Sequence, residues 1–119
     1  MKQHIDAIKK TLATEGLGEK VVGQLKELRE WFKANRNEPG YVKMIRWAYE
    51  DVENNGDYTF LYLEEDGGKE NLDYFIDLLS DYQNKYNKEE LQEIRNLMEG
   101  IEPEEELEEG NEEAEESAE

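Results

Sequence analysis

The chain of 119 residues has no cysteine, one histidine and no long apolar run. Without cysteine it can form no disulfide, no thiolate nucleophile and no thiolate metal site. Its apolar runs fall well short of the ~20 residues that span a bilayer. The segment after Met1 also lacks the apolar stretch of a secretory signal. We therefore expect a cytoplasmic protein with no membrane partner.

Residues with catalytic chemistry are equally scarce. His4 lies near the start of the first predicted helix, and the only serines, Ser80 and Ser117, offer no nucleophile–base arrangement with it. No glycine pair is followed by the Lys-Ser/Thr of a phosphate-binding loop. Carboxylates are too abundant for any two of them to indicate acid–base catalysis. The sequence predicts no enzyme and no cofactor.

One segment imitates part of a metal site. Residues from Asp51 to Asp57 follow the spacing of the first half of a calcium-binding loop, including the turn glycine, Gly56. The twelfth position of such a loop is a bidentate glutamate, and here it is Tyr62. A helix that ends in a polar Asn-Gly turn explains the same residues, so we predict no metal site.

What the chain has in excess is negative charge, 32 acidic residues against 14 basic ones, for a net −18. Residues 1–49 hold ten bases and six acids, a net +4, whereas residues 50–98 hold four bases and fourteen acids, a net −10. Residues 99–119 hold twelve glutamates and no base. This last segment has almost nothing apolar to bury, so we expect a disordered acidic tail. Residues 1–98 remain as the one folded domain.

The apolar residues of this domain recur at helical spacing, which predicts an all-α bundle of about five to six helices. Three helices are predicted over residues 2–14, 19–35 and 39–55. A later helix has a buried face that runs from Leu72 to Tyr86, and the last one begins at a capping-box-like Asn87-Lys88-Glu89-Glu90.

The aromatic run from Tyr58 to Leu63 is compatible with a strand or a helix. Its composition favours a strand, but no second strand is available to pair with it. Asp57 is a suitable N-cap, and Gly67-Gly68 is a suitable stop. We predict a short helix.

Acids dominate the middle of the chain, where residues 50–81 hold eleven acids and one base, Lys69. Within the helix predicted after Gly68, acids recur every three or four residues and form a ridge of carboxylates ~5–6 Å apart, made of Glu70, Asp73, Asp77 and Asp81. Repulsion along such a ridge is unfavourable, so we predict a surface that meets a basic partner. An ordinary solvated face is the alternative. The predicted partner-binding residues are Asp51, Glu53, Asp57, Glu64, Glu65, Asp66, Glu70, Asp73, Asp77 and Asp81.

The basic stripe of the second helix, Lys26, Arg29, Lys33 and Arg36, is interrupted by glutamates. Direct nucleic-acid binding is disfavoured, because the field of the whole protein repels phosphates. These bases are expected to pair with the acidic half of the same molecule or with a second copy, in a homodimer.

Residues 51–60 have the sequence Asp-Val-Glu-Asn-Asn-Gly-Asp-Tyr-Thr-Phe. This helix–Asn-Asn-Gly–aromatic turn resembles one in a family of small helical bacterial DNA-mimic proteins. In composition the chain is also similar to phage anti-restriction proteins, which are short, helical and strongly acidic. The resemblance implies a protein that occupies the DNA site of a restriction, CRISPR or regulatory protein.

Two functions follow as hypotheses. The first is a non-enzymatic inhibitor or regulator that binds a basic, nucleic-acid-binding protein by charge mimicry. The alternative is a helical protein–protein interaction module that binds through Trp31, Trp47 and exposed tyrosines, with the acidic face only solubilising. Salt distinguishes them, because it weakens charge mimicry steeply and apolar anchoring little.

Overall fold

Five helices make up the computed structural model, which describes residues 1–100 and contains no strand in that range. The prediction of a small all-α domain is confirmed. The predicted tail lies outside the described residues, except for Glu99 and Gly100. The helices are α1 (Lys2–Thr14), α2 (Glu19–Asn35), α3 (Pro39–Asn55), α4 (Gly68–Ser80) and α5 (Lys85–Glu99).

The helices enclose one core because each turns its apolar face inward. α2 packs against α1 and α3, α1 packs against α4, and α5 contacts both α4 and α3. The apolar stripes predicted from the sequence are buried, as Ile8 of α1, Leu25 of α2 and Ile45 of α3 illustrate. The core therefore has the composition that helical periodicity indicated.

The connection between α3 and α4, residues 56–67, contains no helix, so the predicted short helix is wrong. We refer to it as the 56–67 loop. With 12 residues it exceeds the other helix connections of the described chain, which have three or four. Two buried polar side chains, Asp51 of α3 and Asn71 of α4, bond backbone groups of the loop that a helix would bond internally.

The junction of α4 and α5 also differs from the prediction. α4 ends at Ser80 and not beyond Tyr82, although Tyr82 is buried all the same. α5 begins two residues earlier than predicted, because the side chain of Asn84 caps it by accepting hydrogen bonds from the N–H groups of Tyr86 and Asn87. Tyr86 is 72% exposed, so the prediction that it lies on a buried face is wrong.

Candidate partner-binding surface

Asp51 does not lie on the surface, where the sequence-based prediction placed it. Its side chain is buried near the end of α3. The carboxylate accepts hydrogen bonds from the Thr59 N–H, from the Thr59 hydroxyl at 2.8 Å and from Asn55 Nδ2 at 2.6 Å. Both oxygens are occupied within the fold, so Asp51 supports the 56–67 loop and does not face a partner.

Asn71 of α4 also supports the 56–67 loop by bonding its backbone. It is 2% exposed, and its Oδ1 accepts a hydrogen bond from the Leu63 N–H at 2.7 Å. Its Nδ2 donates to the carbonyl oxygens of Leu63, Asp66 and Gly67. Because Asp51 and Asn71 bond different parts of the loop, its backbone is tied to both neighbouring helices.

The acids of the loop are exposed, although Asp57 Oδ1 also accepts a hydrogen bond from the Tyr58 N–H at 2.8 Å. Asp57, Glu64, Glu65 and Asp66 are exposed, as is Glu70 in the first turn of α4. None of these five carboxylates forms an ion pair within residues 1–100. The N-terminal end of α4 favours the negative charge of Glu70. The loop and this first turn therefore present carboxylates without ion-pair partners to solvent.

The predicted ridge of acids on α4 is only partly free. Lys9 of α1 pairs with both Asp73 and Asp77, its Nζ lying 2.9 and 2.8 Å from their carboxylate oxygens. Burial alone would lower the pKa of Lys9, but hydrogen bonds to Asp77 and Asp73 outweigh it and raise the pKa. Asp81 follows the end of α4 and does not continue the ridge.

Glu53 is also engaged within the protein. Its carboxylate lies 2.9 Å from Lys26 Nζ of α2, and the hydrogen bond raises the pKa of Lys26. Lys26 belongs to the basic stripe, so one of its four cations pairs with the acidic half of the same molecule. The charge of Glu53 is thus balanced locally.

Two acids that sequence reasoning missed lie beside the loop. Tyr62 of the loop and Tyr74 of α4 stack with ring centroids 6.2 Å apart, and their hydroxyls donate to Glu93 and Glu90 of α5. The hydrogen bond to Glu90 raises the pKa of Tyr74 to about 12. Tyr62 and Glu93 are 31 residues apart, so no local pattern indicates their contact. The acidic face is defined by Asp57, Glu64, Glu65, Asp66, Glu70, Glu90 and Glu93.

The two tryptophans that the alternative hypothesis proposes as binding anchors are partly covered. Trp31 and Trp47 are half-buried against the core. The Arg36 guanidinium lies 4.7 Å from the ring centroid of Trp31, and Lys43 Nζ lies 5.8 Å from that of Trp47. Among the described tyrosines, Tyr86 is the one whose side chain is exposed, and the others are half-buried or buried.

Across residues 1–100, no three His, Asp or Glu side chains come together in a way that would hold a metal ion. None of the five helices is long and apolar enough to cross a membrane.

Comparisons of the chain with protein-family models, with curated proteins and with solved structures found no match. The chemistry of the surface is therefore the basis for any functional conclusion.

Proposed function

We propose that the protein is a non-enzymatic inhibitor or regulator that binds a basic, nucleic-acid-binding protein through the acidic face. The observation that carries this proposal is the set of five exposed carboxylates, on the 56–67 loop and the first turn of α4, without ion-pair partners in residues 1–100. Elsewhere exposed acids often pair, as Asp6 does with Lys2 and Glu15 with Lys20.

Uncompensated carboxylates attract a partner through long-range fields. A groove lined by lysine and arginine that binds phosphates also binds a rigid array of carboxylates, and the two ligands then exclude each other. The tethering of the 56–67 loop by Asp51 and Asn71 supports this mode, because an ordered array loses less conformational entropy on binding.

The test is displacement of DNA from basic proteins. Purified DNA-binding proteins of the restriction, CRISPR and regulatory classes are each loaded with a fluorescent duplex, and the full chain is titrated in. We expect displacement from at least one of them, with an affinity that falls steeply between ~50 and ~200 mM salt. Displacement insensitive to salt would favour the alternative, anchoring by aromatic residues such as Tyr86.

Matched charge reversals test whether DNA displacement depends on the acidic face or only on the net charge of the protein. Glu64→Lys with Glu65→Lys should abolish displacement. Glu19→Lys with Glu27→Lys changes the net charge equally on α2, at acids that are also exposed and unpaired within the described chain, and should retain most of it. Circular dichroism checks that both variants stay helical. Equal losses of displacement in the two double variants would show that only net charge matters. If the wild-type chain displaces no DNA, the proposal is refuted.

A further inference from the structure

The exposed apolar side chains of the described chain are concentrated at one side of α5. Within residues 1–100 the large apolar residues that remain exposed are Leu61, Tyr86 and Leu97. Tyr86 and Leu97 both belong to α5. Leu61 adjoins Tyr62, whose hydroxyl donates a hydrogen bond to Glu93 of the same helix. Single exposed apolar residues are common on protein surfaces, but their concentration at one side of a helix indicates a surface that contacts a partner.

Tyr86 and Leu97 share one face of α5 with two carboxylates. Residues 86, 90, 93 and 97 are separated by four, three and four positions, so on a helix with 3.6 residues per turn they lie above one another. We refer to Tyr86, Glu90, Glu93 and Leu97 as the α5 stripe. Its ends are eleven positions apart, which at ~1.5 Å per residue is ~16 Å, or about three helical turns.

The α5 stripe lies beside the side of the helix that faces the core. Leu91 and Ile94 are the buried residues of α5, and the stripe is displaced from them by about a quarter turn around the helix. Tyr86 is 72% exposed and Leu97 41% exposed, so both ends of the stripe present apolar surface to water.

The two carboxylates at the centre of the stripe are held in position by tyrosines. The Tyr74 hydroxyl donates to Glu90 and the Tyr62 hydroxyl donates to Glu93. Neither Glu90 nor Glu93 forms an ion pair with another residue of the described range 1–100. The stripe thus presents two fixed carboxylates between two exposed apolar side chains.

We infer that the α5 stripe binds an amphipathic helix of the basic partner. Apolar side chains of that helix contact Tyr86 and Leu97, and its lysine or arginine side chains pair with Glu90 and Glu93. Charge complementarity favours a basic helix at the centre of the stripe, and a helix laid alongside α5 presents side chains at the matching spacing. The contact rests on the proposed function, because its occupant belongs to the same basic partner that the acidic face binds.

Two synthetic peptides of equal charge test this contact with the full chain. Each is an alanine-rich helix of about 18 residues, long enough to be partly helical alone. The first carries Leu, Arg, Arg and Leu at the spacing of the stripe, and the second carries Arg, Leu, Leu and Arg at the same positions. The spacing reads the same in both directions, so either orientation on α5 is tested.

We expect the first peptide to bind about tenfold more tightly than the second, because only the first sets apolar side chains against both ends of the stripe. NMR titration measures the two affinities, and the amide shift changes should be concentrated in α5 and at Tyr62 and Tyr74. Equal affinities, or no binding of either peptide, would overturn the inference.

A charge exchange identifies the carboxylates. Glu90→Lys with Glu93→Lys should abolish binding of the first peptide and confer binding of a third, in which glutamate replaces its two arginines. Glu19→Lys with Glu27→Lys makes an equal change of net charge at exposed acids of α2 and should do neither. Circular dichroism checks that both variants stay helical. Loss of the first peptide without binding of the third would contradict direct pairing.

The apolar ends are tested by Tyr86→Gln with Leu97→Gln, which should make the first two peptides bind equally. A preference that persists in this variant would contradict the contact at the ends. DNA displacement, measured on the same wild-type chain, separates the two proposals. Intact displacement without a peptide preference would refute the α5 contact alone, and a peptide preference without displacement would refute charge mimicry alone.

Discussion

Asp51 holds Thr59 by two hydrogen bonds, one from the backbone N–H and one from the hydroxyl, across the junction between α3 and the 56–67 loop. A buried carboxylate is tolerated only when its oxygens are bonded, and here Thr59 of the loop and Asn55 of α3 supply the donors. The geometry of the acidic face therefore depends on an acid that is not part of it.

Removing this carboxylate should be costly. Asp51→Ala leaves the Thr59 N–H and hydroxyl without an acceptor, and we expect it to lower the free energy of unfolding by about 2–4 kcal/mol. Urea denaturation measures the change. Glu53→Ala, two residues away and exposed, is the control and should have a far smaller effect. Similar losses from the two variants would contradict the interior role of Asp51.

Replacing Asn71 by aspartate should destabilise the protein at least as much as replacing it by alanine. Asn71→Asp keeps an acceptor for the Leu63 N–H but sets a carboxylate against the carbonyl oxygens of Leu63, Asp66 and Gly67. We expect a loss of about 2–4 kcal/mol, at least equal to that of Asn71→Ala. Amide hydrogen exchange should quicken at Leu63 in both variants. A stable Asn71→Asp protein with a slowly exchanging Leu63 amide would refute this role.

Two glycine-to-alanine changes should have opposite signs. At Gly68 a Cβ would press on Asp57 Oδ1 and lie 2.5 Å from the Tyr58 carbonyl oxygen, so we expect Gly68→Ala to destabilise by about 1–3 kcal/mol. At Gly23, inside α2, a Cβ meets nothing within 4 Å. Gly23→Ala should stabilise by about 0.5–1 kcal/mol through helix propensity. Thermal denaturation of the two variants measures both changes in stability. Changes of the same sign would contradict the local geometry at these glycines.

Stability should fall as the pH rises above 10. The pKa of Tyr74 is raised from 10.0 to about 12 by its hydrogen bond to Glu90, and burial raises the pKa of Tyr58. As the pH rises, the unfolded chain therefore loses these protons before the folded chain does. For each tyrosine, stability falls over the interval between its pKa in the unfolded chain and its higher pKa in the folded chain. The raised pKa of Lys9 acts in the same direction.

Urea midpoints from about pH 8 to about pH 11 measure this slope. Tyr74→Phe removes one of the contributing protons and should flatten it. Stability that holds constant or rises over this interval would contradict the hydrogen bond to Glu90.

Freeing the paired acids of α4 should strengthen partner binding. Lys9→Gln releases Asp73 and Asp77, which lie on the helix that begins within the acidic face. We expect tighter DNA displacement at low salt, by about threefold to tenfold. Lys20→Gln, which frees Glu15 at the end of α1, is the control with equal charge and should change little. Unchanged affinity in Lys9→Gln would exclude Asp73 and Asp77 from the binding surface.

The helices themselves could be predicted from the sequence to a large extent. α1, α2 and α3 occupy the expected ranges, because their apolar residues repeat every three or four positions and Gly16, Gly18, Pro39 and Gly56 interrupt the pattern. Exposure of Glu64, Glu65, Asp66 and Glu70 was also expected correctly. These outcomes depend on local propensity and on the opposition of apolar and charged faces.

The sequence by itself thus determined an all-α fold, the inward faces of its helices and the location of its excess acids in the second half of the described chain. The tertiary structure alone decided which acids remain available. Asp51 is buried because Thr59 satisfies it, Asp73 and Asp77 are paired because α1 packs on α4, and Glu90 and Glu93 join the acidic face through Tyr74 and Tyr62. Each of these contacts joins separate helices or a helix and the loop, so it arises only when the helices pack.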